Sequence, residues 1–158
     1  MTGFDYIIAI DAMGGDNSPN KIVEGISLFL KEDKNIFFNI YGKEDLIKKS
    51  IGNFRNISAD NYKIFNCETK IEDKNSVRDA IKVGKDSSMW RAIDSVKNKE
   101  SHLIISSGNT GALLVISKLL IKMMDGIDKP AIAGLWPNLK GTSIVLDLGA
   151  NIEFNEKN

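Results

Sequence analysis

Short apolar runs rich in Ile, Val, Phe and Tyr alternate along this chain with stretches in which apolar residues recur every three or four positions. That is the pattern of strands linked by helices in a mainly parallel sheet. The first run predicts a strand over Tyr6 to Ile10. Ser18-Pro19 then reads as an N-cap followed by proline at the first helical position, opening a helix with Ile22, Ile26, Phe29 and Leu30 on its apolar face. A strand over Ile36 to Tyr41, a short helix around Glu44 to Lys49 and a strand over Tyr62 to Asn66 follow, with a polar loop from Gly52 to Asn61. From Ser76 the period is helical, with a break near Gly84 and a restart at Asp86-Ser87, either of which can cap a helix that turns Met89, Ile93 and Val96 inward. A strand over Leu103 to Ser106 feeds an apolar helix from Ala112 to Met124, ended by Asp125-Gly126, with Lys118 and Lys122 on its wet side. Strands over Ala131 to Trp136 and Ser143 to Leu148, joined by a turn at Pro137 to Gly141, complete the pattern.

Three of the predicted strands run into loops of similar make-up: Asp11-Ala12-Met13-Gly14-Gly15-Asp16, Ser106-Ser107-Gly108-Asn109-Thr110-Gly111-Ala112, and Leu146-Asp147-Leu148-Gly149-Ala150-Asn151. In an open α/β sheet ligands bind beyond the carboxyl ends of the strands, and glycine lets backbone N–H groups approach an anion there. The three loops are therefore expected at one sheet edge. The middle loop enters the N-terminus of a helix, whose unpaired N–H groups and positive dipole end suit a phosphate or an oxyanion. Ser107, Asn109 and Thr110 read equally as helix caps. Gly14 and Gly15 are expected to be turn glycines with positive φ, and Asp11 to organise neighbouring N–H groups rather than touch an anion. Asp147, inside an apolar strand, needs a hydrogen-bond partner.

Composition narrows the chemistry. The 158 residues, 42% of them hydrophobic, suffice for one domain with its own core. Twenty-one basic residues balance twenty-one acidic ones, which gives no electrostatic case for binding nucleic acid. A single cysteine, Cys67, and a single histidine, His102, leave neither an intrachain disulfide nor a zinc-ligand spacing. Cys67 reads as a small buried hydrophobe, and His102, at the start of a strand, lies opposite the edge where ligands are held. Trp90 and Trp136 read as core or interface aromatics, and the lysines between Lys43 and Lys49 as a solvated helix face. No segment has the make-up of a signal peptide, and the apolar helix falls short of the ~20 residues that span a bilayer. The middle loop lacks the Gly-Lys-Ser/Thr of nucleotide hydrolases and the glycine spacing of a dinucleotide fingerprint.

Taken in order, Asp-Ala-Met-Gly-Gly-Asp at Asp11 to Asp16, Ser-Ser-Met at Ser87 to Met89, Ser-Gly-Asn-Thr-Gly-Ala at Ser107 to Ala112 and Leu-Asp-Leu-Gly-Ala-Asn at Leu146 to Asn151 resemble the bacterial phosphate acyltransferases of phospholipid synthesis. The likeness runs from about Ile7 to Asn151. It implies transfer of a fatty acyl group from acyl carrier protein to inorganic phosphate, without metal or cofactor, on a three-layer α/β sandwich akin to isocitrate and isopropylmalate dehydrogenases. It also implies a homodimer and a cytoplasmic setting, with a peripheral membrane position left open. On this likeness residues 1–151 form the N-terminal part of a phosphate acyltransferase-like domain, and 152–158 a polar tail where the family continues into a second half, which a separate gene could encode. The implied roles place Asn109, Asn151 and Asp16 at the reacting centre. Asp11, Gly14, Gly15, Lys82, Ser107, Gly108, Thr110 and Gly111 surround the substrate, with Lys85 as a further cation. Val77 stands where the family often has proline, and Lys82 where arginine is common, which keeps a cation but not its two-pronged hydrogen bonding. The competing readings are a truncated, non-catalytic remnant or interaction module, and a generic phosphate-binding α/β domain.

Overall fold

A computed structural model describes residues 3–148, apart from the side chain of Val83. The third loop, at Gly149 to Asn151, and the tail at 152–158 lie outside the described residues. Contacts divide the chain into two compact units, residues 1–121 and 122–158.

The first unit is built on four parallel strands: β1 (Tyr6–Asp11), β2 (Ile36–Gly42), β3 (Tyr62–Asn66) and β4 (Leu103–Ser106), in the order β3-β2-β1-β4. Period-two alternation sends Ile8 and Ile10 of β1 to one face and Ala9 to the other. On the first face they pack with Phe38 and Ile40 of β2 against α1 (Asn20–Glu32) and α2 (Glu44–Ile51). On the second face Ala9, Tyr41 and the buried Cys67 meet Ala92 of α4 (Ser88–Lys97). A further apolar cluster joins Met89, Trp90 and Ile93 of α4 to Ala80 of α3 (Val77–Val83) and to Ala112 and Ile116 of α5 (Thr110–Ile121). Helices thus lie against both faces of the sheet, as a buried parallel sheet requires.

Several expectations need adjustment. Ser18 does not cap α1, because its hydroxyl donates to the Gly14 carbonyl; the helix starts at Asn20 with Pro19 at the cap position. Its buried face is Val23, Ile26, Ser27 and Leu30, an i, i+3, i+4, i+7 set. Phe29 is correspondingly half-exposed. Ser87, rather than Asp86, caps α4 by accepting from the Trp90 N–H. α5 begins two residues early and ends at Ile121, where Lys122 enters the left-handed region at φ 70°. Residues 59–61 of the polar loop form a single 3₁₀ turn.

In the second unit β5 (Ala133–Asn138) and β6 (Gly141–Leu146) pair antiparallel as a sheet of their own, so the last predicted strands form a hairpin rather than extending the parallel sheet. Asp147 lies just past β6 at φ 56°, with its N–H donating to the Ile132 carbonyl at 2.7 Å, instead of inside the strand. Trp136 is exposed on the hairpin, whereas Trp90 is core.

Candidate anion site between two strand ends

The chain makes β1, β2 and β3 outward in one direction and then crosses to place β4 on the other side of β1. The carboxyl ends of β1 and β4 therefore flank the point where strand order reverses, the crevice in which open α/β sheets hold ligands. The loops after both strands meet there. Register pairs Asp11 directly with Ser106, and the Ser106 hydroxyl donates to the buried Asp11 carboxylate at 2.8 Å. The same hydroxyl accepts from the Gly108 N–H at 3.2 Å, and the other carboxylate oxygen accepts from the Met13 N–H at 3.3 Å. One buried carboxylate and one hydroxyl thus fix the start of each loop.

Glycine is required for the next contact. A Cβ on Gly14 would stand 2.7 Å from the Gly108 nitrogen, and one on Gly15 would stand 2.6 Å from the Ser107 carbonyl oxygen. Gly15 alone of the pair has positive φ, at 77°. Gly14 is thus glycine because two backbones touch, not because of its torsion. Ser107 completes the seam, its hydroxyl donating to the Gly14 carbonyl at 3.0 Å.

Asn109 turns the second loop into a helix. Its side-chain oxygen accepts from the Ala112 N–H at 2.9 Å, and its amide nitrogen donates to the Asp73 and Asn75 carbonyls, both at 3.0 Å. Asn109 is consequently the N-cap of α5, and it ties down the segment preceding α3. Val77 at the start of α3 lies against Gly111, where a Cβ would meet it at 3.3 Å. With Asn109 so engaged, the N–H groups of Asn109, Thr110 and Gly111 have no protein acceptor among the described residues. Three backbone donors therefore gather at the positive end of a twelve-residue helix, where negative charge is favoured.

The remaining sequence-predicted residues are placed differently. Asp16 and Thr110 are exposed at the loops. Lys82 and Lys85 are exposed in and after the last turn of α3, away from the Val77 end that touches Gly111. Asn151 lies outside the described residues. His102 is at the opposite sheet edge, where its Nδ1 accepts from the Ile7 N–H at 2.9 Å. Cys67 is buried beside Arg91, and burial pushes its thiol pKa up. Sequence reasoning singled out neither Ser106 as a site residue nor the Asp73 and Asn75 carbonyls. A hydroxyl ending a strand was the available signal for the first, and backbone carbonyls leave none. Among the described residues no cluster of His, Cys, Asp and Glu could hold a metal ion, and no helix is long and apolar enough to cross a membrane.

A four-stranded parallel sheet flanked by helices, with paired glycine loops at its switch point, defines an α/β protein. Residues 6–158 match the family model described as fatty acid synthesis protein, and the chain belongs to that family of phosphate acyltransferases. It is 50% identical over 151 residues to the phosphate acyltransferase of Pelagibacter ubique, covering 96% of this chain and 44% of that protein. The phosphate acyltransferase of Mesorhizobium japonicum is 40% identical across 92% of this chain and 41% of its own length. That of Methylocella silvestris is 41% identical, with 92% and 39% covered. The chain thus spans about two-fifths of the length of these relatives.

Proposed function

We propose that this chain carries the phosphate-binding edge of an acyltransferase that moves a fatty acyl group from acyl carrier protein to inorganic phosphate, on a three-layer fold akin to isocitrate and isopropylmalate dehydrogenases. The observation that carries this reading is the set of three unpaired N–H groups at Asn109 to Gly111, at the head of a helix whose side-chain cap is already provided. Phosphate held there is a competent nucleophile. One of its oxygens attacks the thioester carbonyl carbon, the C–O bond forms, the C–S bond breaks, and the thiolate leaves on the carrier. Positioning and stabilisation of the developing oxyanion are the protein's main tasks in such a reaction.

In this proposal the Ser107 to Gly111 backbone is the cradle, with the Thr110 hydroxyl as a further donor. Asp11, Gly14 and Gly15 position it, together with Ser106. Asn109 acts by holding the donors in place, since its own amide is spent on Ala112, Asp73 and Asn75. Lys82 and Lys85 attract phosphate through their charge, Asp16 orders the rim, and Asn151 donates to the substrate carbonyl. The setting is cytoplasmic, the assembly a homodimer, and the remaining groups come from polypeptide equivalent to the part of the relatives this chain does not span.

Phosphate titration followed through amide chemical shifts tests the cradle. Saturable shifts at Asn109, Thr110 and Gly111 are expected, and still resonances there at high phosphate would refute it. Phosphate-dependent release of free acyl carrier protein, measured with and without the complementary polypeptide, tests the reaction. Turnover is expected to rise when that polypeptide is added.

A further inference from the structure

Residues 70–86, between the end of β3 and the start of α4, form an excursion that is closed at its base and fastened at its head. At the base Thr69 and Ser87 form a parallel β-bridge and the Ser88 N–H donates to the Thr69 carbonyl at 3.1 Å, so the chain leaves and returns at one point. Gly84, at φ 82°, makes the return turn. Between these ends the segment bonds largely to itself: Ser76 caps α3 by accepting from the Asp79 N–H, and the Asn75 side chain accepts from the Glu72 N–H. Among the described residues, the hydrogen bonds that join 72–82 to chain outside the excursion are the two that the Asn109 amide donates to the Asp73 and Asn75 carbonyls. Side chains add little to the attachment. From 72 to 82 every residue but Asn75 and Ala80 is exposed, and the buried anchors are Ile71 and Ala80. A segment that buries so little apolar surface opens at a lower free energy than the sheet beside it.

We infer that residues 70–86 are a lid at the head of α5, opening as a unit about Thr69 and Gly84 and latched shut by the Asn109 carboxamide. The inference rests on the anion reading above and assigns that site its regulation. The two ends of one side chain carry the coupling. Oδ1 of Asn109 accepts from the Ala112 N–H and so caps α5, while Nδ2 holds the lid. A shut lid therefore fixes the side chain that orders the free N–H groups of Asn109, Thr110 and Gly111, and it brings Val77 to rest against Gly111. An open lid leaves that carboxamide tethered at one end alone. Because the coupling is reciprocal, an anion that binds the ordered donors better must favour the shut lid by the same factor.

The test is residue-resolved amide hydrogen exchange on the whole chain, without and with saturating inorganic phosphate. In phosphate-free buffer the Ala80 and Gly84 amides, bonded within the lid to the Ser76 and Ala80 carbonyls, are expected to exchange about 100-fold faster than those of Ile8, Ala9 and Ile10 in the central strand β1. Asn109→Ser keeps an oxygen that can cap α5 but is too short to reach the lid carbonyls. It is expected to speed Ala80 and Gly84 about tenfold and leave the β1 amides as they were. Gly84→Ala brings a Cβ to 3.3 Å from the Lys82 carbonyl oxygen at a positive φ and strains the return turn. It supplies a second variant with the same direction of change if Asn109→Ser destabilises the whole unit. Phosphate is expected to slow the lid amides of the parent severalfold, and Asn109→Ser to abolish that protection. Lid amides that exchange at the β1 rate, or that neither variant speeds, would overturn the inference whether or not phosphate binds. So would phosphate that shifts the Asn109 to Gly111 amides yet leaves lid exchange unchanged. Absence of those shifts at high phosphate, with the lid opening as expected in phosphate-free buffer, would remove the anion reading and with it the lid's coupling to the site.

Discussion

The seam between the β1 and β4 loops and the β5-β6 hairpin are both made of short strands and glycine-containing turns, yet they behave oppositely. At the seam the side chains tie the loops together: the Asp11 carboxylate, the Ser106 and Ser107 hydroxyls and the Asn109 amide each bridge segments far apart in sequence. Of the two strands beneath it, β1 is buried on both faces, Ile8, Ala9 and Ile10 being at most 8% exposed. Within the hairpin unit, Leu135, Ile144 and Leu146 are as apolar as those residues but remain 54–76% exposed. The same residue types on the same kind of strand thus contribute differently, because burial comes from a covering layer and not from the strand.

The largest expected contrast is in the cores. Ile40→Ala, at a fully buried position between α1 and the sheet, should cost about 2–5 kcal/mol in urea unfolding. Leu135→Ala on the hairpin should change stability by less than about 0.5 kcal/mol. Equal losses would erase the distinction between the two regions.

Next comes the seam itself. Gly14→Ala must push the Gly108 backbone away, at about 1–3 kcal/mol, and should weaken phosphate binding at the Asn109 to Gly111 amides along with it. A variant that lost stability but kept those shifts would show that the loops can separate without harming the cradle. Asn109→Ala removes the α5 cap and the tie to Asp73 and Asn75, and about 1 kcal/mol of stability should go with it. Weaker phosphate shifts are expected in the same titration.

The smallest effect is a pH dependence of the buried second face. Burial pushes the Cys67 thiol up from its ordinary value of 9.0, outweighing the nearby Arg91, and moves Tyr41 the same way. Above about pH 9 the unfolded chain therefore loses protons that the folded chain keeps, and stability falls as pH rises. The contribution is fully present below the ordinary thiol value and lost as pH rises through the folded one. Urea midpoints at about pH 8 and pH 10 should show this fall, and Cys67→Ala should make it shallower. An unchanged slope in that variant would assign the dependence to Tyr41.

Much of the first unit was legible in the residues. Strands β3 and β4 fall where the apolar runs placed them, and Gly84, at φ 82°, breaks the helical stretch between Ser76 and Ser87 as its position suggested. Asp11 organises its neighbours as its charge and loop position implied. Local preference carried those inferences, since period, capping residues and glycine act over a few positions. Ser18 eluded that reasoning because its hydroxyl was taken by the Gly14 carbonyl in a turned loop, and Gly14 because its constraint is a backbone from ninety residues away.

What the sequence determined alone is the order and type of the elements, the glycine loops and the family to which the chain belongs. Which loops share an edge was expected from parallel strand polarity, but which strands are neighbours was not. Strand order placed β4 beside β1, and that choice set Asp11 against Ser106. Tertiary structure alone decided these pairings, because the free energy of burying two strands side by side depends on all the layers at once and leaves no mark at any single position.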